Sequence, residues 1–101
     1  MEITIYAKKR HSAEGKTFYN YLSTLTRRDG SKQSVTVKFR ESCETPRPEN
    51  CPMNIRFERN DANLSSRAFV RDGESGLSFT LWVSKWEQSG EFVDHSLDEF
   101  V

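Results

Sequence analysis

Residues 17–40, TFYNYLSTLTRRDGSKQSVTVKFR, decide the fold. Thr17 to Thr26 is dense in Thr, Phe, Tyr and Leu, types whose branched or flat side chains suit a pleated, half-buried surface. Ser34 to Arg40 alternates polar and apolar residues at the period of a strand. Between them Asp29-Gly30 accepts the positive φ that a tight hairpin turn demands, so the two strands are expected to pair. An even-numbered loop centred on Asp29 and Gly30 sets Arg28 opposite Ser31, and Val35, Val37 and Phe39 opposite Thr24, Leu22 and Asn20. One face then gathers Phe18, Leu22, Val35, Val37 and Phe39 for the core, and the other Tyr19, Tyr21, Ser23, Thr36, Lys38 and Arg40. A one-residue bulge reverses this, taking both tyrosines inside and Phe18 outside, because side chains alternate faces with every residue. Asn20 on the buried face speaks for that alternative.

Working outward, Ile3, Ile5 and Ala7 alternate with Glu2, Thr4 and Tyr6, giving a first strand that runs into Lys8-Lys9-Arg10. His11 to Lys16, with Ser12 and Gly15, has turn chemistry. Downstream, Glu41 to Pro52 contains Pro46, Pro48 and Pro52, which remove backbone donors and disfavour helix, so it reads as an irregular loop. Alternation resumes at Ile55 and Phe57, followed by a turn or short helical turn within residues 60–66. Ala68–Arg71 and Leu77–Trp86 form a second hairpin about residues 72–76, with Phe79, Leu81 and Val83 on one face and Trp82 and Trp86 on the other. Those two indoles require cover from a loop, the tail or a ligand.

A chain of 101 residues has room for one core, and with 35% hydrophobic residues its seven Phe must supply much of it. The expected architecture is all-β: a small antiparallel OB-like barrel of five or six strands over residues 1–90, with at most one short helical turn, then an acidic tail at 91–101. Net charge is zero but unevenly spread. Residues 1–86 hold all fifteen Lys and Arg against ten acids, and residues 87–101 hold five acids and neither Lys nor Arg. A basic body with an acidic end points to a polyanion ligand. No stretch has the length and apolarity of a signal peptide or membrane span, so a cytoplasmic protein without membrane contact is expected. Cys43 and Cys51 are expected as reduced thiols.

Catalytic constellations are missing. His11 stands in a basic turn and His95 in the acidic tail, and there is no Gly-rich phosphate loop, nucleophile elbow or closely spaced ligand pair. A Cys–His dyad and a zinc site from the two Cys and two His are the weaker readings, since the spacings match no common site. The expectation is a binding protein that is not an enzyme and needs neither cofactor nor metal.

Tyr19 and Tyr21 beside Lys38 and Arg40 on one sheet face are what sequence-tolerant single-strand binding uses, with rings stacking on bases and cations following phosphates. Arg27 and Arg28 in the adjoining turn add phosphate contacts. The strand pattern, the aromatic and basic hairpin, and the acidic, aromatic end SLDEFV resemble bacterial and phage single-stranded DNA-binding proteins of the OB-fold type. That resemblance implies single-stranded DNA as ligand, with RNA as a second candidate. It also implies a tail, here Asp94, Asp98, Glu99 and Phe100, that recruits replication and repair proteins and competes with DNA for the basic groove. The chain departs from the pattern in its short tail, its lack of a Gly/Pro/Gln-rich linker and Val101 at the end. The alternative is a small protein-interaction or inhibitor module of phage or mobile-element origin, using its acidic surface.

Overall fold

A computed structural model describes residues 1–90 and Phe100. Seven strands follow in chain order: β1 Glu2–His11, β2 Thr17–Thr26, β3 Lys32–Phe39, β4 Met53–Arg56, β5 Ala62–Arg71, β6 Glu74–Val83 and β7 Glu87–Ser89. Short 3-10 turns lie at Pro48–Asn50 and Arg59–Asp61, and no α-helix occurs among the described residues. The all-β expectation holds. The strands make one seven-stranded sheet in the order β5-β6-β3-β2-β1-β4-β7.

Three departures concern architecture, the first being seven strands where five or six were expected. The sheet is mixed rather than wholly antiparallel, because β6 returns to lie parallel to β3, with Lys38 opposite Trp82 and Phe39 opposite Val83. It is also not closed into a barrel: β5 and β7 are its two edges. Closure requires the two edge strands to hydrogen-bond along their length, and β7 offers three residues against the ten of β5. The hairpin of β5 and β6 consequently projects from the body as a ribbon.

The hairpin of β2 and β3 forms, but in the alternative register. Tyr21 opposes Val37, Leu22 opposes Thr36 and Ser23 opposes Val35. The cause lies in the turn. The Arg27 amide donates to the Ser31 carbonyl at 2.8 Å and the Gly30 amide to the Arg27 carbonyl at 3.0 Å, leaving Arg28-Asp29-Gly30 as a three-residue loop with Gly30 at φ 87°. This is a type I turn followed by a bulge residue in the left-handed region. Asp29 keeps negative φ and its carboxylate accepts from the Ser31 amide at 2.8 Å and hydroxyl at 2.6 Å. The β1/β2 turn repeats the design, with Ser12 bonded to Lys16 and Gly15 at φ 82°. Only the β5/β6 hairpin has the two-residue form, Asp72 and Gly73 both at positive φ between Arg71 and Glu74.

With odd-numbered residues inward on β1, β2 and β3, the core collects Ile3, Ile5, Tyr21, Leu25, Val35 and Val37. Met53, Ile55, Phe57, Ala62, Leu81, Val83 and Phe100 complete it. β1 serves both halves of the sheet: Glu2–Ile5 pair with β4 and Tyr6–His11 with β2. The spatial run β4-β1-β2-β3 is a Greek key. Phe100 was expected as a partner-binding residue of the acidic tail but is 2% exposed, its ring 6.1 Å from that of Phe57 and its carbonyl bound by Arg59 Nη2 at 2.8 Å. Its apolar ring is worth more inside than in water.

Candidate nucleic-acid interface

The outward, even-numbered face of the sheet carries the cations. Lys38 on β3 sits directly opposite Trp82 on the parallel strand β6, and Arg40 follows just past the end of β3, its amide bonded to the Val83 carbonyl at 2.9 Å. The Lys38 ammonium lies 5.3 Å and the Arg40 guanidinium 5.1 Å from the centre of the Trp82 ring. Each such contact at an exposed site is worth about 0.5–1 kcal/mol, enough to bias both cations toward one aromatic surface without fixing them there. Trp82 is half-buried, and beside it an open cleft of about 300 Å³ is lined by Tyr19, Asn20, Lys38, Phe39 and Thr45 as well as by the indole itself, with Tyr21 reaching its wall.

On the outer half of the β1/β2 hairpin, Arg10 opposes Phe18 and Lys8 opposes Asn20, on the same sheet face as Lys38. Phe18 and Tyr6 on this face are 45% and 50% exposed, which leaves ring surface for a ligand. Lys9 opposes Tyr19 on the other face of this ribbon, and Tyr19 is 42% exposed because the ribbon there has left the core behind.

Of the residues expected to bind nucleic acid, Tyr19 lines the cleft from the other face of the sheet, and Lys38 and Arg40 come together over the Trp82 ring. Tyr21 does not join them: it is 8% exposed, its hydroxyl donates to the Pro46 carbonyl, and Phe39 packs edge-on at 5.7 Å. The one-residue change of register carries it inside, so it offers no free face for stacking. Arg27 and Arg28 lie at the opposite end of β3, about 20 Å from Lys38 at the rise of a strand, and Arg27 Nη2 donates to the Gln33 side chain. Asp94, Asp98 and Glu99 fall outside the described residues, and Phe100 belongs to the core. Phe18 and Tyr6 are not among the candidates that the sequence offers, whereas Lys8 and Arg10 read there only as strand-end cations that could flank a groove and Trp82 only as a ring in need of cover. The signal for Trp82 was its parity, opposite to Phe79, Leu81 and Val83, but its placement beside Lys38 depends on a crossover that no local pattern announces. Trp86 was expected on the same face as Trp82. It lies beyond the end of β6 instead, its indole N–H donating to the Glu44 carbonyl at 2.6 Å and its ring 6.0 Å from Phe39.

The thiols are turned to structural use. Cys43 Sγ lies 3.4 Å from the carbonyls of Arg40 and Val83, and Cys51 Sγ 3.7 Å from that of Arg47. Burial pushes both thiols up from their ordinary pKa, the direction opposite to nucleophilic activation. His11 Nδ1 is 3.4 Å from the Thr17 hydroxyl on the exposed ribbon. Among the described residues no group of three or more His, Cys, Asp or Glu is placed to hold a metal ion. No family model, no curated protein and no solved structure matches this chain.

Proposed function

We propose that this protein is a non-enzymatic binder of single-stranded nucleic acid, DNA before RNA, with little sequence preference. The observation that carries the reading is Trp82 flanked by Lys38 and Arg40 beside an open cleft. Bases of any identity stack on an aromatic face for about 1–3 kcal/mol each, and Lys38 and Arg40, which lie over the Trp82 ring in the free protein, swing off it to take the linking phosphates. The strand runs from Trp82 toward the β1/β2 ribbon, where Phe18 and Tyr6 alternate with Arg10 and Lys8 on the same face. Tyr19 supplies a further ring at the cleft. An open OB-like layout is part of this proposal, and the β4-β1-β2-β3 Greek key supports it.

Titration of a short labelled oligonucleotide at a series of salt concentrations tests the reading. Affinity should fall with salt at a log–log slope of about −0.7 for each phosphate neutralised. Replacing Trp82 by Ala should weaken binding by about 1–3 kcal/mol. Absence of binding at low salt, or a Trp82→Ala protein that binds as the wild type does, ends the proposal.

A further inference from the structure

The two edges of the sheet differ in how they are protected. β7 is three residues long, a common way of blunting an edge. β5 runs ten residues in unbroken register with β6, from Ala62 opposite Val83 to Arg71 opposite Glu74, and contains no proline, lysine or bulge. Among the described residues no strand lies on its other side. Its end of the sheet also exposes apolar side chains, Phe69 at 46%, Val70 at 77% and Leu77 at 53%.

We infer that β5 is a self-association edge, and that a second copy of this chain pairs with it antiparallel about a two-fold axis at Ser66. The direction of the backbone groups follows from the turn. Arg71 and Glu74 close a two-residue hairpin and exchange hydrogen bonds, so Arg71, Phe69, Arg67 and Ser65 turn their N–H and C=O groups toward β6. Val70, Ala68, Ser66 and Leu64 turn theirs outward.

Charge selects the register. The middle of β5 falls between Ser66 and Arg67, so these two centres give the longest overlap. An axis at Arg67 would set two guanidinium groups directly opposite each other, which is unfavourable. An axis at Ser66 pairs Leu64 with Ala68 of the second copy, and the new ladder ends short of Ala62, whose N–H and C=O are already bonded to Arg59. The same axis also brings Asp61, one position before the strand, across from Arg71 of the second copy. A two-fold axis normal to the sheet closes the assembly at two chains and keeps both Trp82 faces on one side. The inference does not depend on what that face binds.

Sedimentation of the full chain over a wide concentration range, without nucleic acid, tests it. The wild type should show a reversible monomer–dimer equilibrium. Ser66→Pro should weaken the dimer by about tenfold or more, because its lost N–H points away from β6 and the intramolecular ladder is left intact. Where the proline variant does not fold, Arg71→Glu serves instead: it should weaken the dimer, and adding Asp61→Arg should restore it. A monomer at every concentration, an assembly larger than two, or a dimer indifferent to these substitutions overturns the inference.

Discussion

Tyr21 is the residue whose position changes most between sequence and structure, and the consequences are measurable. Its ring is core, but the hydroxyl remains partnered through the Pro46 carbonyl, which tethers the proline-rich loop to the sheet. Tyr21→Phe should therefore cost about 1 kcal/mol, the net worth of an ordinary hydrogen bond, whereas Tyr21→Ala should cost about 3–5 kcal/mol by emptying an aromatic site. Burial raises the phenol pKa, and nearby Cys51, Glu49 and Tyr19 add to the shift. A folded pKa above the unfolded value of about 10 means stability fully present below that value and lost as pH rises through the folded one. Urea unfolding at rising alkaline pH should show this loss in the wild type, with a smaller loss in Tyr21→Phe. An equal loss in both proteins would place its origin elsewhere. One signal in the sequence was right at this scale: Asn20 is an improbable core residue, and in the structure it faces outward with Lys8 as its neighbour on β1.

At the scale of elements, the hairpins were legible and their registers were not. Asp-Gly occurs twice, as Asp72-Gly73 in a two-residue turn and as Asp29-Gly30 within a three-residue one. The dipeptide permits both, so the choice is made by the sheet. In the observed register Ala7 opposes Tyr21 and Tyr21 opposes Val37, aligning the inward rows of β1, β2 and β3. That alignment is a three-strand condition, invisible when one hairpin is read alone. It also yields a prediction. Deleting Arg28 leaves Asp29-Gly30 as a two-residue loop between Arg27 and Ser31, keeping their pairing and changing only the turn type. The shortened protein should keep its circular dichroism spectrum and lose no more than about 1 kcal/mol of stability. A much larger loss, or a changed set of buried residues by hydrogen exchange, would show that the bulge itself holds the register.

For the whole molecule, what sequence could not supply was contact between segments far apart in the chain. Periodicity marked the face of Trp82 correctly, yet its neighbours Lys38 and Arg40 stand more than forty residues earlier and meet it only through the parallel pairing of β3 and β6. Phe100 is a similar case, because an aromatic next to acids reads as tail until its contact with the Phe57 ring is known. Phe100→Ala should cost about 3–5 kcal/mol in a denaturant titration. A cost under 1 kcal/mol would mean that its ring is dispensable to the core. The same region holds the other end of the chain: the Met1 amino group donates to the Phe57 carbonyl at 2.6 Å, while Phe100 packs on the Phe57 ring. Met1 and Phe100 are thus held by one residue, with Phe57 as their clasp, and a short linker joining positions 100 and 1 would forfeit little loop-closure entropy. A circular permutant opened between the exposed residues Ala13 and Glu14 should fold to the same sheet and melt cooperatively, whereas an unfolded product would show that β1 and β2 must be contiguous for folding.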